Sequence, residues 1–216
     1  MSRAGVLGKI RAANGGATTL AAAQAAWEEI PREYRRTAGI EREEILEMLE
    51  DRLRDYDAHV VRSTRADVPD TVAAMLRTRN RTRMLMPEGV DASLLPSWVG
   101  FAVDDSSEPL MAAAIDKFEG VLTESTLAIA ETGTIVLQTA PGQGRRALSL
   151  IPDYHLCLVR PGSVVRSVPE AMDVLGWTPA FATTFISGPS ATADIEMTRI
   201  KGVHGPRFLD VILVMD

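Results

Sequence analysis

Apolar positions recur at helical spacing in two stretches of this chain and in short runs elsewhere. Ile45, Leu46, Leu49 and Leu53 line one face of a helix predicted over 41–55, whose first turn is acidic, as the helix dipole favours. Val68, Val72, Met75 and Leu76 form a second stripe, predicting a helix that Asp67 caps and that runs to about 79. Between and beyond them lie runs that read as strands: 59–61, 83–86, 99–103, 156–160, 182–186 and 211–215. Residues 129–138 are strand-like but broken by Glu131-Thr132-Gly133, which marks a bulge or sharp turn. Helices are further predicted at 169–175, with Pro169 in the first turn, and at 191–197. Alternating strands and helices with near-continuous apolar strands predict an α/β fold, a mostly parallel sheet covered on both faces in three layers.

The first 39 residues read differently. Residues 2–13 set Val6, Leu7 and Ile10 against Arg3, Lys9 and Arg11, and Asn14-Gly15-Gly16 should end that short helix. An Ala-rich piece with Trp27 follows, then a basic linker around Arg32, Arg35 and Arg36. The division expected is a helical arm and linker at 1–39 and an α/β domain at 40–216.

Charge and cysteine content narrow the function. A formal net charge of −6 argues against a duplex nucleic-acid binder, which carries a basic face. Cys157 is the single cysteine, within the apolar run Leu156-Cys157-Leu158-Val159. One thiol forms no internal disulfide and holds no iron–sulfur cluster alone, so it reads as a small core residue. No signal-peptide pattern opens the chain, and no run of about 18 apolar residues spans a membrane, so the cytoplasm is expected. His59, His155 and His204 show no metal-binding spacing, and no cofactor is expected on this chain.

Four segments carry candidate chemistry. In residues 183–196 an apolar run ends at Ser187, Gly188-Pro189 turns the chain, and Ser190 opens the expected helix. Its first-turn N–H groups with Ser187, Gly188, Ser190 and Thr192 make a cradle for a carboxylate or phosphate, beyond a strand's carboxyl end. The alternative is a plain N-cap at Ser190. Glu131 is the candidate acid–base group, or else a solvated turn residue. Arg145 and Arg146, after Gly142-Gln143-Gly144, offer anion-binding charge or two mobile surface charges, and His155 a proton shuttle or a backbone hydrogen bond. His204 and Arg207, around Gly205-Pro206, pair a titratable group with a second clamp, although turn geometry alone explains the Gly-Pro. No GxGxxG, Walker or GxSxG pattern is present.

In order along the chain, AETGTIVL at 130–137, RALSLIPDYHLCLV at 146–159, TTFISGPSATADIE at 183–196 and KGVHGPR at 201–207 resemble the LUD-domain, or lactate-utilization, family. The resemblance is strong over the C-terminal half and general over the rest. It implies a Rossmann-like fold related to the ribose-5-phosphate isomerase, CoA-transferase and 5-formyltetrahydrofolate cyclo-ligase group. It also implies a part in bacterial L-lactate oxidation to pyruvate, beside iron–sulfur and cysteine-rich partner subunits. It brings no catalytic residues. Fold kinship leaves an independent enzyme, acting on a phosphorylated or CoA-linked small molecule, and a structural assembly factor as alternatives.

Overall fold

The computed structural model describes residues 2–16, 18–33, 39–176, 181–192, 200–202 and 205–215. The chain divides into two compact units, Met1–Arg35 and Arg36–Asp216. In the first, α1 (Arg3–Ala13) is capped by Ser2, whose hydroxyl accepts from Gly5 N. It ends where Gly15 and Gly16 take positive φ, as the sequence predicts. The Ala-rich piece forms a second helix, α2 (Leu20–Glu28), because Thr19 caps it at Ala22 N and alanine favours helix.

The second unit runs through α3 (Arg42–Asp55), β1 (His59–Thr64), α4 (Val68–Thr78), β2 (Arg83–Pro87) and β3 (Gly100–Asp104). It continues with α5 (Ala112–Ile115), β4 (Gly120–Glu124), β5 (Leu127–Ile129), β6 (Thr134–Gln138) and β7 (Tyr154–Val159). It closes with β8 (Val164–Val165), α6 (Val168–Leu175), β9 (Thr183–Ile186), β10 (Ala191–Thr192), β11 (Ile200–Lys201) and β12 (Phe208–Met215). Six strands form an all-parallel sheet in the order β1-β12-β7-β4-β2-β3. A small mixed sheet has the order β8-β5-β6-β9, and β10 pairs with β11.

Alternation along the central strands decides what covers each face. Cys157 and Val159 of β7, with Leu209, Val211 and Leu213 of β12, pack against α3 and the small sheet. Tyr154, Leu156 and Leu158 point the other way, onto Val68, Val72, Met75 and Leu76 of α4. The two helical stripes read from the sequence are thus the core faces of α3 and α4, one on each side of the sheet. Cys157 is fully buried, as its apolar run predicts.

Three expectations are corrected. The central strand β4 has no sequence-based counterpart, because Gly120-Val121-Leu122-Thr123-Glu124 is short and framed by polar residues. It begins with glycine because a Cβ on Gly120 would come 2.8 Å from the Tyr154 ring. Asp67 makes no side-chain cap on α4; its carboxylate accepts from Thr64 Oγ1 at 2.6 Å instead. The helix expected at 191–197 does not start, since Ala191 and Thr192 pair as strand β10 with Lys201 and Ile200; residues 193–197 lie outside the described ones. The break at 131–133 is a hairpin turn, with Ile129 opposite Thr134 across β5 and β6.

Candidate functional site

β9 leaves the small sheet at Ile186, and the chain turns sharply at Gly188, where φ is 83°. No other residue fits that position. A Cβ would meet the Tyr56 Cβ at 2.5 Å, in a backbone conformation that side chains disfavour. The returning chain is fastened by Ser190 N donating to Pro206 O at 2.8 Å and Gly202 N to Ser190 O at 2.9 Å. Ser187 shares a 2.8 Å hydrogen bond with Thr134 on β6. Beside this turn lies a cavity of about 280 Å³, lined also by His155 of β7 and Leu209 of β12 and by Arg146, Ser149 and Leu150 of the segment between β6 and β7.

His155 and Leu209 are the second residues of β7 and β12 and sit side by side. The cavity therefore adjoins the amino ends of the large sheet's strands, although it lies at the carboxyl end of β9. The expectation of a carboxyl-end site on the parallel sheet is corrected, because the loop belongs to the small antiparallel ladder. The cradle of helical N–H groups expected there is also absent at Ala191 and Thr192, which are extended.

Among the described lining residues, charge in the cavity rests on Arg146. Arg146 is exposed, touches Thr184 Oγ1 at 3.4 Å and forms no ion pair among the described residues. No described lining residue is acidic. At the floor, His155 is 1% exposed and its Nε2 lies 2.8 Å from Thr123 Oγ1. Burial pushes the imidazole down to about 4, so it is neutral at physiological pH. Cys157, next on the same face, touches Thr123 Oγ1 at 3.7 Å, and burial pushes its thiol up to about 12.

The structure gathers Ser187, Gly188 and Ser190 in this cavity and sends the other sequence candidates elsewhere. Thr192 follows one residue past the lining Ala191, in β10. Arg145 grips Asp104 with two bonds of 2.8 and 3.0 Å and donates to Leu110 O. That pair lines a second cavity of about 220 Å³ at the carboxyl ends of β2 and β3. Burial opposes charge on Asp104, but hydrogen bonds from Arg145 and Leu110 N outweigh it and hold the carboxyl below its usual range. Arg207 is tied to Asp153, which also accepts from Arg81 at 3.1 Å, and does not line the cavity. Glu131 sits in the β5–β6 turn, 2.9 Å from Arg166 Nε, away from the lining. His204 lies outside the described residues. Of the two Gly-flanked arginines the sequence offers, the cavity takes Arg146 and not Arg145; Ser149 and Thr184 line it without having been singled out, and His155 stood only as an option.

A parallel six-stranded sheet with a mixed sheet over one face, and a ligand-sized cavity at their junction, make this an α/β protein with a defined pocket. The chain belongs to the LUD-domain family: the family model of the LUD domain matches residues 12–214. It is 43% identical over 179 residues to lactate utilization protein C of Deinococcus radiodurans, 82% of each chain. It is 27% identical over 208 residues to lactate utilization protein C of Bacillus velezensis, covering 88% of this chain and 86% of that one. The crystal structure of a DUF162 family protein from Deinococcus radiodurans superposes with a TM-score of 0.70 at 38% identity, covering 81% of this chain and 99% of that chain. Among the described residues no group of three or more His, Cys, Asp or Glu is placed to hold a metal, and no helix is long and apolar enough to cross a membrane.

Proposed function

We propose that this protein serves a bacterial L-lactate oxidation system as a cytoplasmic subunit that binds a small organic anion in the Arg146–His155 cavity. In this reading the LUD α/β domain is 40–216, residues 1–39 form an arm, and the fold is kin to the isomerase, transferase and cyclo-ligase group. The family and the names of its relatives, lactate utilization protein C, support the lactate part of this reading. The single observation that carries the ligand reading is Arg146: a guanidinium with no carboxylate partner among the described residues, in a cavity whose described lining is free of acids. A buried or half-enclosed anion needs such a partner to offset its lost hydration. Ser187, Gly188 and Ser190 then supply hydroxyl and close backbone approach around the ligand.

Oxidising lactate to pyruvate releases two electrons and two protons, which need acceptors. One buried sulfur with a raised pKa suits neither cluster ligation nor thiolate chemistry. The reading therefore places the electron carriers on iron–sulfur and cysteine-rich partner subunits.

The test has two parts. Anaerobic purification of the tagged protein from lactate-grown cells should bring iron–sulfur partners in constant ratio with lactate-dependent dye reduction; a chain that purifies alone in repeated preparations refutes the subunit reading. Thermal shift with L-lactate should stabilise the native chain and lose the effect in Arg146→Ala but keep it in Arg207→Ala, whose guanidinium Asp153 already occupies. Equal loss in both variants would remove the cavity from the proposal.

A further inference from the structure

The cavity is polar at both ends, but in different ways. At the rim stands Arg146, exposed and charged. At the floor stands His155, almost wholly enclosed, with Leu209 beside it and no cation other than Arg146 among the described lining residues. The walls between include Leu150 and Ile186, which suit a carbon skeleton. A carboxylate driven to the floor would lose hydration with no cation to compensate, and the imidazole there resists protonation. The carboxylate therefore belongs at the rim, and the floor suits an uncharged oxygen.

The ring is fixed for that purpose. Thr123 Oγ1 occupies Nε2, from the neighbouring strand β4. His155 lines the cavity, and its Nδ1 has no hydrogen-bond partner among the described residues. With the residue 1% exposed, the cavity it lines is where a partner for that nitrogen would come from. If Thr123 donates to Nε2, Nδ1 carries the proton and donates to a carbonyl or hydroxyl oxygen. If Nε2 donates to Thr123, Nδ1 accepts from a hydroxyl. Either tautomer recognises a neutral oxygen.

We infer that His155, positioned by Thr123, is the specificity determinant of this cavity and selects organic acids that carry a hydroxyl or carbonyl oxygen beside the carboxylate. This rests on the anion reading of the cavity. Acids of the same skeleton without that oxygen would leave the floor nitrogen unpaired and bind more weakly.

Isothermal titration of the full chain near pH 7.5 with L-lactate, pyruvate and propionate tests it, since propionate keeps the carboxylate and skeleton and lacks the second oxygen. Propionate should bind about tenfold more weakly than the better of the other two, the worth of one neutral hydrogen bond in an enclosed site. In His155→Phe that preference should shrink to about twofold or less, with propionate affinity little changed; Thr123→Val should reduce it as well, and serves if the Phe variant does not fold. Equal affinity of the native chain for all three, weakened throughout by Arg146→Ala, overturns this inference and leaves the anion reading standing. No binding of any of the three at millimolar concentration overturns both.

Discussion

Replacing His155 with Gln should flatten the acid limb of this protein's stability profile. The native imidazole is enclosed on β7 and its pKa falls from 6.5 to about 4 by burial. Above pH 6.5 it is neutral in both folded and unfolded chains and contributes no pH dependence. As pH falls below 6.5 the unfolded chain takes up a proton that the folded chain refuses until about pH 4. Stability therefore rises with pH across that window and is lost on acidification. With these two pKa values the loss between pH 8 and pH 5 is about 2 kcal/mol, approaching about 3 kcal/mol below pH 4. Carboxylates add their own acid destabilisation, but chiefly below pH 5 and equally in both proteins. Urea unfolding at pH 8, 6 and 5 reads the difference. The gap in unfolding free energy between native and His155→Gln should narrow or reverse by about 2 kcal/mol at pH 5 relative to pH 8. Parallel profiles would refute the placement of His155 as a buried neutral ring, and with it the uncharged cavity floor.

Three further outcomes follow from the packing. Gly188→Ala should lower stability by about 2–4 kcal/mol, because its φ of 83° and the 2.5 Å approach to Tyr56 leave no room for a Cβ; an unchanged melting temperature would contradict the turn's geometry. Asp210→Ala should cost about 3–5 kcal/mol, since Asp210 is 1% exposed and accepts from Arg79 Nη2 at 2.6 Å and Tyr154 Oη at 3.0 Å, leaving both unpaired; chemical denaturation should show Asp210→Leu with Arg79→Met recovering part of that loss. Leu49→Ala, at the fully buried centre of α3, should cost about 2–5 kcal/mol by the same measurement, whereas a cost below about 1 kcal/mol would mean that α3 does not pack on the sheet.

Periodicity made α3 and α4 legible because each buries a continuous stripe against the sheet, and apolar runs revealed β7 and β12 because both faces are covered. β4 escaped because its five residues mix Gly, Thr and Glu with only two aliphatics, and its place at the sheet's centre comes from neighbours far along the chain. That omission carried over to the site: the partner that fixes His155 is Thr123 of β4, so without the strand the histidine had no visible environment. The hydroxyl-rich Gly-Pro turn does line a cavity, yet its composition suggested a helix where β10 and β11 pair. Charge was the least legible feature. Arg145 and Arg146 are adjacent and chemically identical, but Asp104 reaches Arg145 from 41 residues away and neutralises it, while Arg146 lines the cavity with no carboxylate partner among the described residues. Asp153 removes Arg207 from consideration in the same way, 54 residues distant. Local spacing identifies groups able to bind an anion; whether a given guanidinium is available depends on which carboxylates the tertiary fold has already brought to it. The cavity's specificity follows the same logic in reverse, since a histidine that no carboxylate approaches stays neutral and can read an oxygen that bears no charge.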